Sequence, residues 1–179
     1  MTEYARVYGG SLYDLAAEEQ LTKEIMEEIP VILNLFRENP EYMKLLTEPS
    51  IKKDERLKLI EEAFGNQAQR YLVSFMKLLC ERGILNEFEG CCTMYKQRFN
   101  EDHNIAEAIV TGAAPLKEEQ LAALKAKLEK ISGKTVEITV KVDPRVLAGL
   151  KVELNGNELD GTVAGRLSGI QKKLNETIM

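Results

Sequence analysis

The hydrophobic pattern of this chain changes just after His103, and that change restricts the fold more than any other feature of the sequence. Before it, apolar residues recur every three or four positions, as they do on one face of a helix. After it, short runs that alternate as on one face of a strand are interspersed with two helical segments. A chain patterned this way is expected to be mainly α with a small α+β domain. The expectation is an N-terminal six-helix bundle over residues 1–103, then a short mixed sheet with two helices over 104–179.

Tyr4, Tyr8, Leu12 and Leu15 define a first helix from about Tyr4 to Ala17. Leu21, Ile25, Ile29, Ile32, Leu33 and Phe36 define a second, in which Pro30 predicts a kink or a break. Asn39-Pro40 reads as the capped start of a third helix ending near Thr47, before Pro49. Ser50 reads as the cap of a fourth, with Ile51, Leu57, Ile60 and Phe64 inward and Gly65 as a left-handed stop. Asn66 and Gln69 have capping-box spacing for a fifth helix that runs to Gly83. Leu85, Phe88, Cys92, Tyr95 and Phe99 make the sixth.

Ile105–Thr111 then reads as a strand and Leu116–Ile131 as a helix stopped by Gly133. Val136, Ile138, Val140 and Val142 alternate with polar residues, which predicts a half-buried strand ended by Asp143-Pro144. Leu150, Val152 and Leu154 form another, and Asn155-Gly156 turns it into Glu158–Asp160. Val163, Leu167, Ile170 and Leu174 share one stripe of a last helix, which also carries Gly161, Gly165 and Gly169 at four-residue spacing. That spacing suits close packing of the helix on the sheet.

Charge and cysteine content exclude several functions. Residues 1–103 carry nineteen acidic against thirteen basic side chains, a net of −6, while 104–179 carry ten against eleven. An acidic helical half opposes nucleic-acid binding, which needs phosphate neutralisation. The opening fifteen residues include Glu3, Arg6 and Asp14 and hold no apolar run of a secretory signal. No stretch approaches the roughly 20 apolar residues that span a bilayer. Cys80, Cys91 and Cys92 lack metal-ligand spacing and read as reduced thiols, with Cys91 and Cys92 as buried small hydrophobes. His103, the only histidine, reads as a solvated residue of a charged junction rather than as a general base. No phosphate-cradle, dinucleotide or zinc motif is present. Gly9-Gly10 lies within a helical pattern and reads as a close helix approach.

The first and fifth helices carry more apolar residues than one stripe needs. Tyr4, Ala5, Val7, Tyr8, Leu12, Tyr13 and Leu15 spread over more than half of one circumference. Tyr71, Leu72, Phe75, Met76, Leu78 and Leu79 do the same on the other. A bundle helix needs an apolar arc of about 100° or somewhat more. Either both helices are central and buried all round, or Tyr71, Phe75 and Leu78 occupy a second face, away from Leu72, Met76 and Leu79. In the second case the surplus forms an exposed groove for a partner's amphipathic helix.

Four stretches resemble the delta subunit of bacterial F-type ATP synthases, the counterpart of the mitochondrial oligomycin-sensitivity-conferring protein. They are the opening Tyr4-Ala5-Arg6-Val7-Tyr8-Gly9-Gly10-Ser11-Leu12-Tyr13, the segment from Ser74 to Leu85, and Ala113-Ala114-Pro115-Leu116 with Gln120. The fourth joins Val142-Asp143-Pro144-Arg145-Val146-Leu147-Ala148-Gly149 to Asp160-Gly161-Thr162-Val163 and Gly165-Arg166-Leu167. Ser74, Ile84, Lys117 and Ala148 depart from the usual family residues, which are Asn, Arg, Ser or Thr, and Gly.

The resemblance implies a stator subunit of the peripheral stalk, with no catalytic residues and no cofactor or metal. The N-terminal bundle would bind N-terminal helices of the alpha subunits through helices one and five. Tyr8, Ser11, Phe75 and Leu78 would form that interface, with Tyr4, Leu12 and Tyr71 flanking it. The C-terminal domain, with its motif Asp143, Gly149, Asp160, Gly161, Gly165 and Arg166, would bind the b subunits. One copy per complex would sit at the cytoplasmic face of a bacterial plasma membrane without inserting into it, and the lack of a transit peptide agrees with a bacterial chain. A helical adaptor carrying a small RNA-binding α/β domain is the rival reading. The acidic bundle, the lack of a GxxG loop and the lack of paired aromatics on a strand oppose it.

Overall fold

The computed structural model describes residues 1–146, 149–154 and 156–160, without the side chains of 157–160. The protein is mostly helical with a small mixed sheet, and it divides into two compact units, Met1–Asn100 and Glu101–Met179. The expected last helix, with Val163, Leu167, Ile170 and Leu174, falls outside the described residues, as do Gly161, Gly165 and Arg166.

The first unit is built from α1 (Glu3–Glu18), α2 (Thr22–Glu38), α3 (Pro40–Thr47), α4 (Lys53–Phe64) and α5 (Arg70–Glu81). A 3-10 turn at Leu85–Glu87 leads into α6 (Phe88–Asp102). Thr2 starts α1: its Oγ1 accepts from the Ala5 amide at 3.1 Å and donates to Glu87 Oε2 at 2.5 Å. Pro30 does not break α2, which runs through it with the ring exposed.

The expected caps and stop are not used as the local sequence suggests. Asn39 does not cap α3; its Nδ2 donates to Leu35 O at 2.9 Å and so closes α2, while Pro40 takes the first position of α3. Ser50 lies in a turn, and α4 begins at Lys53 with no side-chain cap. Gly65 is right-handed, with φ −57°, because the chain continues helically past Phe64 through an Ala68 N–H to Phe64 O bond. Asn66 caps nothing at α5. The amide of Gln69 there donates to Glu28 Oε2 of α2 at 2.7 Å, a contact between residues 41 positions apart.

The core of this unit takes side chains from all six α-helices, among them the fully buried Ile25, Leu46, Ile60, Leu72, Met76, Leu79, Phe88 and Tyr95. Phe36 meets Phe88 and Phe64 edge-on at 5.5 and 5.9 Å, and Phe88 meets Phe75 at 6.4 Å. Tyr95 donates its hydroxyl to Thr22 O at 3.0 Å and packs edge-on against Tyr13 at 5.2 Å. Arg98 lies over the Tyr13 ring and bonds Asp14 at 2.7 Å, so α6 is fastened along α1.

That crossing depends on missing side chains. A Cβ placed on Gly9 would come within 2.4 Å of Cys91 O, and one on Gly90 within 2.8 Å of Ala5 Cβ. Gly10 is different, since the nearest atom to a Cβ there is Arg98 Nη1 at 3.9 Å. Cys80, Cys91 and Cys92 are all buried. Burial pushes the Cys91 thiol from 9.0 up to about 11, with Glu87 adding to the shift, and burial moves Cys92 further in the same direction. Neither thiol is a nucleophile near neutral pH, because the reactive thiolate is suppressed.

The second unit holds β1 (Ile105–Gly112), α7 (Glu118–Ser132), β2 (Thr135–Val142), β3 (Leu150–Leu154) and β4 (Asn157–Asp160), with spatial order β2-β1-β3-β4. β1 and β2 pair in parallel around the α7 crossover, Ala106 opposite Val136 and Val110 opposite Val140. β3 runs antiparallel to β1 and to β4. Ala106, Ala108 and Val110 from one face of β1 pack with Leu128, Val136 and Val152. Alternation overstates the burial of β2. Val136 is buried and Ile138 half-buried, but Val140 and Val142 are 36% and 49% exposed, on the outer strand of the sheet.

Gly9→Ala is expected to destabilise by about 1–3 kcal/mol through overpacking. Gly10→Ala should be neutral or stabilise by up to roughly 1 kcal/mol by stiffening the helix. Urea unfolding of the two variants distinguishes them. Because the folded Cys91 thiol ionises later than an unfolded one, its contribution is complete below about pH 9 and lost as pH climbs toward 11. Denaturation midpoints should therefore fall over that window, and less steeply in Cys91→Ala.

Candidate helix-binding groove

α1 and α5 each serve two surroundings. On α1, Ala5, Leu12, Tyr13 and Ala16 are buried, while Tyr4, Val7 and Leu15 are exposed. On α5, Leu72, Val73, Met76 and Leu79 are buried, while Leu78 is 38% exposed. Buried, half-buried and exposed residues of the two helices come together: Tyr8, Ser11, Leu12 and Leu15 of α1 face Tyr71, Ser74, Phe75 and Leu78 of α5 across an open cavity of about 210 Å³.

Leu12 and Phe75 form its floor and belong equally to the core. Phe75, only 7% exposed and in contact with Phe88, is therefore not on a separate face away from Leu72 and Met76. The two expected alternatives meet in that residue: one face of α5 is buried, and a shallow trough stays open over the core side chains Leu12 and Phe75. Leu15 and Leu78 form the lips. Tyr8 and Tyr71 are half-buried walls. The Ser11 hydroxyl donates to Val7 O at 2.9 Å, so it is satisfied within its own helix and adds little polarity. No charged residue lines the trough, although Arg70 stands over the Tyr71 ring at 5.4 Å.

Six residues chosen from the sequence thus share one concavity: Tyr8, Ser11, Leu12, Tyr71, Phe75 and Leu78. Tyr4 is 57% exposed and does not line it. Leu15, part of the surplus on the first helix, and Ser74 also line it; neither is among the interface residues that the resemblance implies, though helical spacing from Ser11 and Tyr71 points to both. In the second unit, Asp143 is pinned in a tight turn. Its carboxylate accepts from the Arg145 backbone at 3.0 Å and from the Arg145 guanidinium, whose bonds hold it below the usual carboxylate range. Gly149 has φ +91°, a conformation that favours glycine. Asp160 ends β4.

An open trough of this kind offers burial rather than chemistry. Each leucine-sized side chain that enters it exchanges water for hydrocarbon, worth about 1.5–3 kcal/mol when burial is complete. Among the described residues, no cluster of metal-ligating side chains occurs and no helix is long and apolar enough to cross a membrane.

Comparison with known proteins agrees with this architecture. The sequence profile of the family described as "ATP synthase delta (OSCP) subunit" matches residues 4–174. The ATP synthase subunit delta of Geobacillus sp. (strain WCH70) is 32% identical over 171 residues, covering 95% of this chain and 96% of the relative. That of Alkaliphilus oremlandii (strain OhILAs) is 27% identical over 172 residues, with 96% of each covered. A chain from the cryo-EM structure of the Toxoplasma gondii mitochondrial ATP synthase hexamer shares the fold with a TM-score of 0.72 at 15% identity, covering 97% of this chain and 98% of that one. With the profile spanning nearly its whole length, the chain belongs to the ATP synthase delta (OSCP) subunit family.

Proposed function

We propose that this protein is the stator subunit that ties the catalytic head of an F-type ATP synthase to its membrane sector. The first unit binds N-terminal helices of the alpha subunits, and the second binds the b subunits. Its part is mechanical: it resists the torque that would otherwise turn the head with the central shaft. One copy acts at the cytoplasmic face of a bacterial plasma membrane, and ion flow is coupled to ATP synthesis through it.

The observation that carries the reading is the trough between α1 and α5. It is an open concavity between two helices with aromatic walls, leucine lips and no charge in its lining, the kind of surface that receives one face of an amphipathic helix. Aromatic anchors in such a seat commonly dominate affinity, which gives Tyr8 and Tyr71 the leading part. The RNA-binding alternative gains no support from any residue described above.

Calorimetric titration of the full-length protein with a peptide from the N-terminus of the same organism's alpha subunit tests this. Saturable binding is expected. Leu78→Asp, on the exposed lip, should weaken it at least tenfold, or about 1.4 kcal/mol, with an unchanged thermal melt. Phe75→Asp should instead unfold the unit, because a carboxylate would replace a ring buried against Phe88. Tight binding by a folded Leu78→Asp variant would remove the trough from the interface.

A further inference from the structure

Charges along the rim of the trough are unequal on its two walls. On α5, the positions following the line of Tyr71, Ser74, Phe75 and Leu78 lead to Arg82 one turn beyond Leu78, while Arg70 lies over Tyr71 at the other end. Both arginines are exposed, and neither has a carboxylate partner among the described residues. The other charges of α5 are already paired, Lys77 with Glu61 and Glu81 with Lys53. Near Arg70, Glu28 is committed to the Gln69 amide and Glu24 to the Gln69 side chain. On α1, Asp14 is held by Arg98, and the exposed Glu18 lies one turn beyond Leu15. The α5 wall is thus cationic at both ends, in a stretch of chain whose net charge through residue 103 is −6.

We infer that the occupant of the trough is an amphipathic helix whose flank toward α5 carries carboxylates at both ends of its apolar stripe, where Arg70 and Arg82 receive them. The inference rests on the helix-docking reading above and adds the charge pattern and direction of the occupant. Arg82, which follows the last residue of α5 in right-handed helical conformation, lies twelve positions beyond Arg70, about 18 Å along the axis. An occupant of roughly the same length, with acidic residues near each end of one flank, meets both. Reversed side for side, the same helix would turn its carboxylates toward Glu18 and leave both arginines facing its neutral flank. Guanidinium groups suit this because each offers two parallel N–H donors to one carboxylate. Rim pairs of this kind set register and encounter rate, while the apolar trough holds the bound state.

The test uses the full-length protein and the alpha-subunit N-terminal peptide, titrated at 50 and 500 mM NaCl. Wild-type affinity should fall severalfold at the higher salt, where exposed pairs are screened. The double variant Arg70→Glu/Arg82→Glu should bind at least tenfold more weakly at low salt, keep its melting temperature, and improve rather than worsen with salt. A peptide with its acidic residues changed to lysine should recover binding to that variant. Less than a twofold change in the double variant, while Leu78→Asp still abolishes binding, would overturn the charge pattern and leave the docking reading standing. Absence of binding by the folded wild-type protein would overturn both.

Discussion

The approach of α1 to α6 through Gly9 and Gly90 is the contact on which the rest of the first unit depends. With no Cβ on either glycine, the two backbones lie close enough for Tyr13 to meet Tyr95 and for Arg98 to reach Asp14. At the crossing itself the packing is done by small groups, Ala5 and Gly9 among them, and Tyr13, one turn beyond Gly9, fills the space against Tyr95. Other large residues of α1 face a different neighbour. Tyr8, Leu12 and Leu15 turn toward α5 and make one wall of the trough. A bulkier crossing would push α1 outward and change the spacing of the two walls. The shape of the trough is therefore a consequence of the packing beneath it.

Much of this was legible in the sequence because hydrophobic periodicity records which face of each element is buried. The helices and strands of the described residues lie close to where the period placed them, and the switch after His103 falls within three residues of the division at Asn100. What the sequence concealed was the identity of local partners. Asn39, Ser50, Asn66 and Gly65 have the chemistry of caps and stops, yet three of these helix ends are satisfied elsewhere or left uncapped. The start of α5 is the clearest case. Glu28 reaches its first amide from a helix forty-one residues away, a partner that no local spacing rule can point to.

The trough shows the same division. Surplus apolar residues on two helices were visible, since periodicity measures how much of a circumference is greasy. How that surplus divides between core and surface was not, because the answer depends on the third helix packed against them. Phe75 is the instructive residue: α6 brings Phe88 against its ring and makes it a floor rather than a wall. Leu78, three positions on, stays at the lip. Both have the same weight in a hydrophobic pattern, and only tertiary contact separates a residue that holds the fold from one that can be altered without losing it.

In the proposed role the protein has to bind firmly without yielding under load, and the placement of the trough on helices meets that requirement. Residues on loops can shift when pulled, whereas Leu12 and Phe75 move only if the core around Phe88 and Leu72 moves with them. A partner seated on such a floor transmits force into the whole unit rather than into one flexible segment. The conditions for firm binding and for stiffness are then the same condition, met by the same side chains. Polar rim contacts add direction to this, since an apolar trough alone would accept a helix in either orientation. In the proposed role, orientation matters as much as affinity, because a helix bound in reverse would lead its chain away from the head it has to hold.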